Sequence, residues 1–179
     1  VKLENLLWLL PVFFMLHEFE EIVMMKPWLN RNEAALQRRF PVFSRRLMPR
    51  VARLSTSAFA VAVGEEFLLL SVITLVCVEY QLYACWTGLL LGFFLHLLVH
   101  FGQFLNLRRY VPVILTSVLA APYCIYAVMR LNAAGLLNWP QVAAWTVFWL
   151  AALAANLALA LHLAGRFEAW LQRSSISIS

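Results

Sequence analysis

The chain has 179 residues, 63 % of them hydrophobic and 13 % charged, with a mean hydropathy of +0.78. Soluble domains carry about 25 % charged and 45–50 % apolar residues, so this balance excludes an ordinary soluble fold and indicates an integral membrane protein. The net charge of +5 does not indicate nucleic-acid binding, because the bases sit in short connections between apolar runs, where bilayer orientation places them.

A hydrocarbon core about 30 Å thick needs roughly 20 helical residues. The first segment of that kind covers about 4–25. It lacks a basic leader and a small-residue cleavage site, so it is expected to stay in the mature protein. Near its inner end lies His17-Glu18-Phe19-Glu20-Glu21, four ionisable groups in an otherwise apolar run. At 100° per residue, Glu20 and Glu21 fall on either side of the line through His17 and share its face. Glu18 points about 100° away and is expected to reach water or a base in the next connection.

That connection, 26–53, holds three prolines and eight bases and is expected to form a short helix on the membrane surface. The second span, about 54–78, carries Glu65 and Glu66 roughly 18–20 Å from its start, too deep to snorkel. Cys77 and Cys85 flank the next turn and could pair. With Cys124 they show no CxxC spacing and read as small packing residues. The third span, about 82–105, places His96 and His100 at i and i+4 with Gln103 on the same stripe. Gly92 on that face and Gly102 nearby offer close approach to a neighbouring helix. The fourth and fifth spans cover about 110–130 and 140–164. Asn156 and His162 lie on the fifth, about 120° apart, so both cannot face one point. The tail from 174 to 179 is expected to be disordered, and 1–173 reads as one domain without internal repeats.

Orientation follows from the bases. Lys26, the seven arginines between 31 and 53, Arg108, Arg109, Arg166 and Arg173 fall on one side, and Lys2 and Arg130 on the other. Twelve against two puts the N-terminus outside and the C-terminus in the cytoplasm. The expected fold is all-α, a bundle of five transmembrane helices with its polar groups in the middle and cytoplasmic half of the bilayer.

A charge at the bilayer centre costs about 2.5–3.5 kcal/mol. No Lys or Arg lies at that depth, so the carboxylates must be neutralised by protons, by the histidines or by a divalent cation. Imidazole with carboxylate suits zinc, iron or manganese. The candidate ligands are His17, Glu20, Glu21, Glu65, Glu66, His96 and His100, holding one or two ions. Gln103, Asn156 and His162 are candidates for hydrogen-bonding behind them. The leading expectation is a metal-dependent membrane enzyme, on zinc or iron, hydrolysing a lipidic or hydrophobic substrate with Glu21 or Glu66 as base. Three other readings stay open. They are a di-iron oxidoreductase, a metal-free Glu/His isomerase of a sterol- or isoprenoid-like substrate with Trp145 and Trp149 near a carbocation, and a metal or proton carrier.

The His17–Glu21 pentapeptide matches the signature of the HXXEE-domain family, small bacterial multi-span membrane proteins named for that motif. The chain also resembles them in length and in its later histidines. The resemblance implies an enzyme in the bacterial inner membrane. The chain is more distantly similar to CAAX-type intramembrane proteases, which also combine a Glu pair with membrane histidines. Here IVMMK follows Glu20-Glu21, whereas their EExxxR pattern has an arginine.

Overall fold

The computed structural model describes residues 2–46 and 48–176, and every regular element among them is helical. In chain order these are α1 (Leu3–Arg39), α2 (Pro41–Arg46), α3 (Met48–Arg53), α4 (Thr56–Glu79), α5 (Tyr83–Leu107), α6 (Ile114–Ala133) and α7 (Trp139–Ile176). Four of them, α4 to α7, are long and apolar enough to cross a membrane. Their surfaces agree, since Leu68, Leu119 and Val147 are each about two-thirds exposed, an arrangement that suits a hydrocarbon solvent. α1 differs because its apolar run is interrupted by Glu18, Glu20 and Glu21.

The five long helices close into a ring. α1 packs against α4 and α6, α4 against α7, α7 against α5, and α5 against α6. Short turns make neighbours antiparallel, so one end of the bundle collects the start of α1, the end of α4, the start of α5 and the end of α6. The main apolar core lies there, with Leu7, Leu10, Trp86, Leu89, Leu90 and Leu131 almost fully buried. Tyr123 donates across it to the Leu6 carbonyl at 3.0 Å. The other end carries the bases and a smaller cluster in which Ala58 and Ala62 of α4 meet Ala160 and Ala164 of α7. Small side chains let these two helices approach closely.

α5 and α7 come closest at Gly88. A Cβ placed there would lie 2.6 Å from Trp145 Cβ and 2.8 Å from the Thr146 amide nitrogen. The sequence had pointed to Gly92 and Gly102 instead. Gly92 has only ordinary contact with Leu153, and Gly102 faces open space.

The first helix does not stop at residue 25. It runs through Pro27 to Arg39 as one element. Pro27 removes one backbone donor, but packing on both sides outweighs that loss. Leu29 and Leu36, two turns apart, bury against Met48, Leu107 and Val111. Trp28 Nε1 donates to the Tyr110 carbonyl at 2.6 Å, and Arg39 donates to the Asn106 carbonyl. The basic connection is therefore a helical extension followed by two short helices, α2 and α3, which cap the end of the bundle where α5 turns into α6. α7 likewise outruns its expected end at 164 and enters the tail, staying helical to Ile176; residues 177–179 lie outside the described residues. Cys77, Cys85 and Cys124 are all buried and free.

Candidate metal centre

His17, fully buried on α1, faces His96 and His100 on α5 across the middle of the ring. Ring centroids are 5.2 Å apart for His17–His96, 5.3 Å for His17–His100 and 4.5 Å for His96–His100. Phe93 stands edge-on to His17 and fixes its ring plane. Glu21, one turn beyond His17, completes the group. One ligand atom from each of His17, Glu21, His96 and His100 lies within 4.8 Å of all the others.

The hydrogen bonds sort the imidazole nitrogens. His100 Nδ1 donates to Gln103 Oε1 at 3.1 Å, which leaves the His100 Nε2 lone pair facing His96 Nε2 at 3.0 Å. Two nitrogens bound to one ion at about 2.0–2.1 Å stand roughly 3.0–3.4 Å apart, so this spacing already suits a shared cation. His17 Nε2 is buried and has no hydrogen-bond partner. A buried nitrogen left unpaired costs about 1–3 kcal/mol, and a cation among these four residues would remove that penalty. The donor set fits a borderline metal such as zinc or iron.

Glu20 turns the other way. Its carboxylate accepts from Tyr110 Oη at 2.7 Å, from the Thr116 amide at 2.9 Å and from Thr116 Oγ1 at 2.7 Å. It thereby caps the first turn of α6, where Val113 supplies no side-chain cap and sits at φ +69°, a costly conformation for a β-branched residue. Burial and the Glu20 bond hold the Tyr110 phenol above its ordinary pKa, so it stays a donor. Glu20 stays near His17, through Thr116, but is not among the four residues that converge, because α6 packs on that flank of α1 and draws the carboxylate to its N-terminus.

Glu18 is also placed differently from expectation. It is 6 % exposed and close enough to Glu21 and Glu66 for their charges to interact, and among the described residues no base acts on it. The flank that a lone helix would turn to solvent is covered here by α4. Of the α4 pair, Glu66 faces Glu21, whereas Glu65 accepts from Asn156 Nδ2 of α7 at 3.1 Å. Gln103 thus hydrogen-bonds a histidine of the centre, whereas Asn156 reaches only Glu65, outside the group of four, and His162 is exposed on α7. His96, unlike His17 and His100, is exposed on the surface of the bundle.

Thr116 and Tyr110 are not among the candidate site residues that the sequence indicates. A threonine and a tyrosine at a helix start carry no charge or spacing that marks them. Only the packing of α6 on α1 reveals them.

Neither a curated protein nor a solved structure matches the chain. Residues 8–127 match a family described as "Protein of unknown function with HXXEE motif". That stretch contains all four residues of the centre, Gln103, Tyr110 and Thr116, but not Asn156 or His162. With the motif's His17, Glu20 and Glu21 in place and most of the chain covered, the protein belongs to this HXXEE family.

Proposed function

We propose that the protein is a metal-dependent integral membrane enzyme hydrolysing a lipidic or otherwise hydrophobic substrate. The observation that carries this reading is the convergence of His17, Glu21, His96 and His100 around an unpaired, buried His17 Nε2. Three imidazoles and one carboxylate favour a single zinc or iron ion over a carboxylate-bridged pair, since Glu20 and Glu65 are engaged elsewhere. A divalent ion held there would supply a Lewis acid able to lower the pKa of water towards about 7. Glu66 beside Glu21 is the spare carboxylate and would serve as general base. The exposure of His96 would give a hydrophobic substrate access to the centre from the surface of the bundle. With α1 as a fifth span and the bases inside, the N-terminus is outside, the C-terminus is cytoplasmic, and the centre lies in the cytoplasmic half of a bacterial inner membrane.

A second reading is favoured by Glu18, Glu21 and Glu66, three neighbouring carboxylates with no base among them. They would suit proton transfer to a hydrophobic substrate without a metal. Elemental analysis of the purified protein separates the two. About one zinc or iron per chain, lost in the His96→Ala/His100→Ala variant, supports the first reading. No bound zinc, iron or manganese after reconstitution overturns it in favour of the second. For hydrolysis itself, proteoliposomes of mixed bacterial lipids should release a cleaved product that disappears on chelation and in Glu66→Gln.

A further inference from the structure

The two glutamates of the motif do different work. Resting on the metal reading above, we infer that Thr116 is a positioning residue for the centre: held by Glu20, its hydroxyl fixes His17 as the Nδ1–H tautomer and presents the Nε2 lone pair to the ion. Thr116 Oγ1 has three oxygen or nitrogen neighbours, Glu20 Oε2 at 2.7 Å, the Val113 carbonyl at 3.2 Å and His17 Nδ1 at 3.4 Å. A hydroxyl has one proton, and the shortest contact, to a carboxylate, takes it. The hydroxyl lone pairs then remain for His17, so the proton between Thr116 and His17 sits on Nδ1. His17 Nε2 consequently has no hydrogen, is fully buried and lacks a partner, which is the state of a nitrogen prepared for a cation.

His100 is arranged in the same way by a different residue. Gln103 Oε1 accepts from its Nδ1 and leaves Nε2 free to face the centre. Each helix that brings a histidine thus has a neutral acceptor behind it, contributed by α6 for His17 and by α5 itself for His100. Such outer partners typically change metal affinity by 10- to 100-fold when removed. The Glu20 carboxylate acts at one remove. It anchors both the amide and the hydroxyl of Thr116 and so couples the seating of α6 on α1 to the orientation of His17.

The test uses full-length protein in nanodiscs, labelled with 15N-histidine, with Thr116→Val and Thr116→Ser variants. In metal-free wild type, the His17 nitrogen shifts should report Nδ1–H. Thr116→Val, nearly isosteric but unable to accept, should lose that single tautomer and bind zinc ~10–100-fold more weakly. Thr116→Ser should restore both the tautomer and the affinity. Nε2–H in metal-free wild type would overturn the inference without any variant. So would a Thr116→Val protein with unchanged tautomer and zinc affinity. If wild type binds no zinc, iron or manganese while the tautomer still depends on Thr116, the metal reading fails and the positioning role stands.

Discussion

Replacing Glu20 by alanine separates capping from metal ligation, and the structure sets the size of the effect. Three donors lose their acceptor: Tyr110 Oη, the Thr116 amide and Thr116 Oγ1. Two have alternatives. Tyr110 is only partly buried and can turn to water, and Thr116 Oγ1 can donate to the Val113 carbonyl 3.2 Å away. The Thr116 amide has none, because it lies in the first helical turn, where no backbone carbonyl is available. A lost cap costs about 1 kcal/mol, and removing a negative charge from a helix N-terminus up to about another 1. A total of about 2 kcal/mol corresponds to ~30-fold in the local opening equilibrium. Amide hydrogen exchange in nanodiscs should therefore show Thr116 and its neighbours in α6 exchanging ~30-fold faster in Glu20→Ala. Glu20→Gln keeps an acceptor oxygen and loses only the charge, so its change should stay below about tenfold. Unchanged protection in Glu20→Ala, or equal loss in both variants, would refute the capping role.

Gly88→Val forces a side chain into the 2.6 Å gap against Trp145 and should separate α5 from α7, with a stability loss of about 1–3 kcal/mol in SDS-driven unfolding. The same substitution at Gly102, which faces open space, should have little effect. Cys77, Cys85 and Cys124 are buried and free, so a maleimide should leave all three unmodified in the folded protein and label all three once SDS unfolds it. Removing the Trp28 bond to Tyr110 by Trp28→Phe should loosen the cap formed by the extension of α1, seen as faster exchange around 108–113 while the core end of the bundle is unaffected.

Much of this architecture is legible in the sequence, because hydrocarbon demands long apolar helices and leaves few alternatives. The depth argument also brings His17, His96 and His100 together correctly, since rise per residue along antiparallel helices is a strong constraint. Azimuth is a weaker one. Glu20 and Glu21 lie almost symmetrically about His17, so which of them meets the histidines depends on where α6 and α4 sit. Glu18 fails for the same reason, being exposed on a lone helix and covered in a ring. Pro27 misleads because a missing backbone bond is visible in sequence, whereas the packing of Leu29 and Leu36 that outweighs it involves residues near 48 and 107–111. Thr116 and Tyr110 were illegible altogether, since a neutral donor acquires its meaning only from the carboxylate it faces.

X-ray absorption at the metal edge of the reconstituted protein tests the centre most directly. Three histidines and Glu21 predict a shell of nitrogen and oxygen at about 2.0–2.1 Å with the outer scattering of about three imidazoles. His17→Ala should remove one imidazole, whereas Glu20→Gln should leave the count unchanged. A shell of oxygens without imidazole scattering, or an imidazole count indifferent to His17, would contradict the assignment.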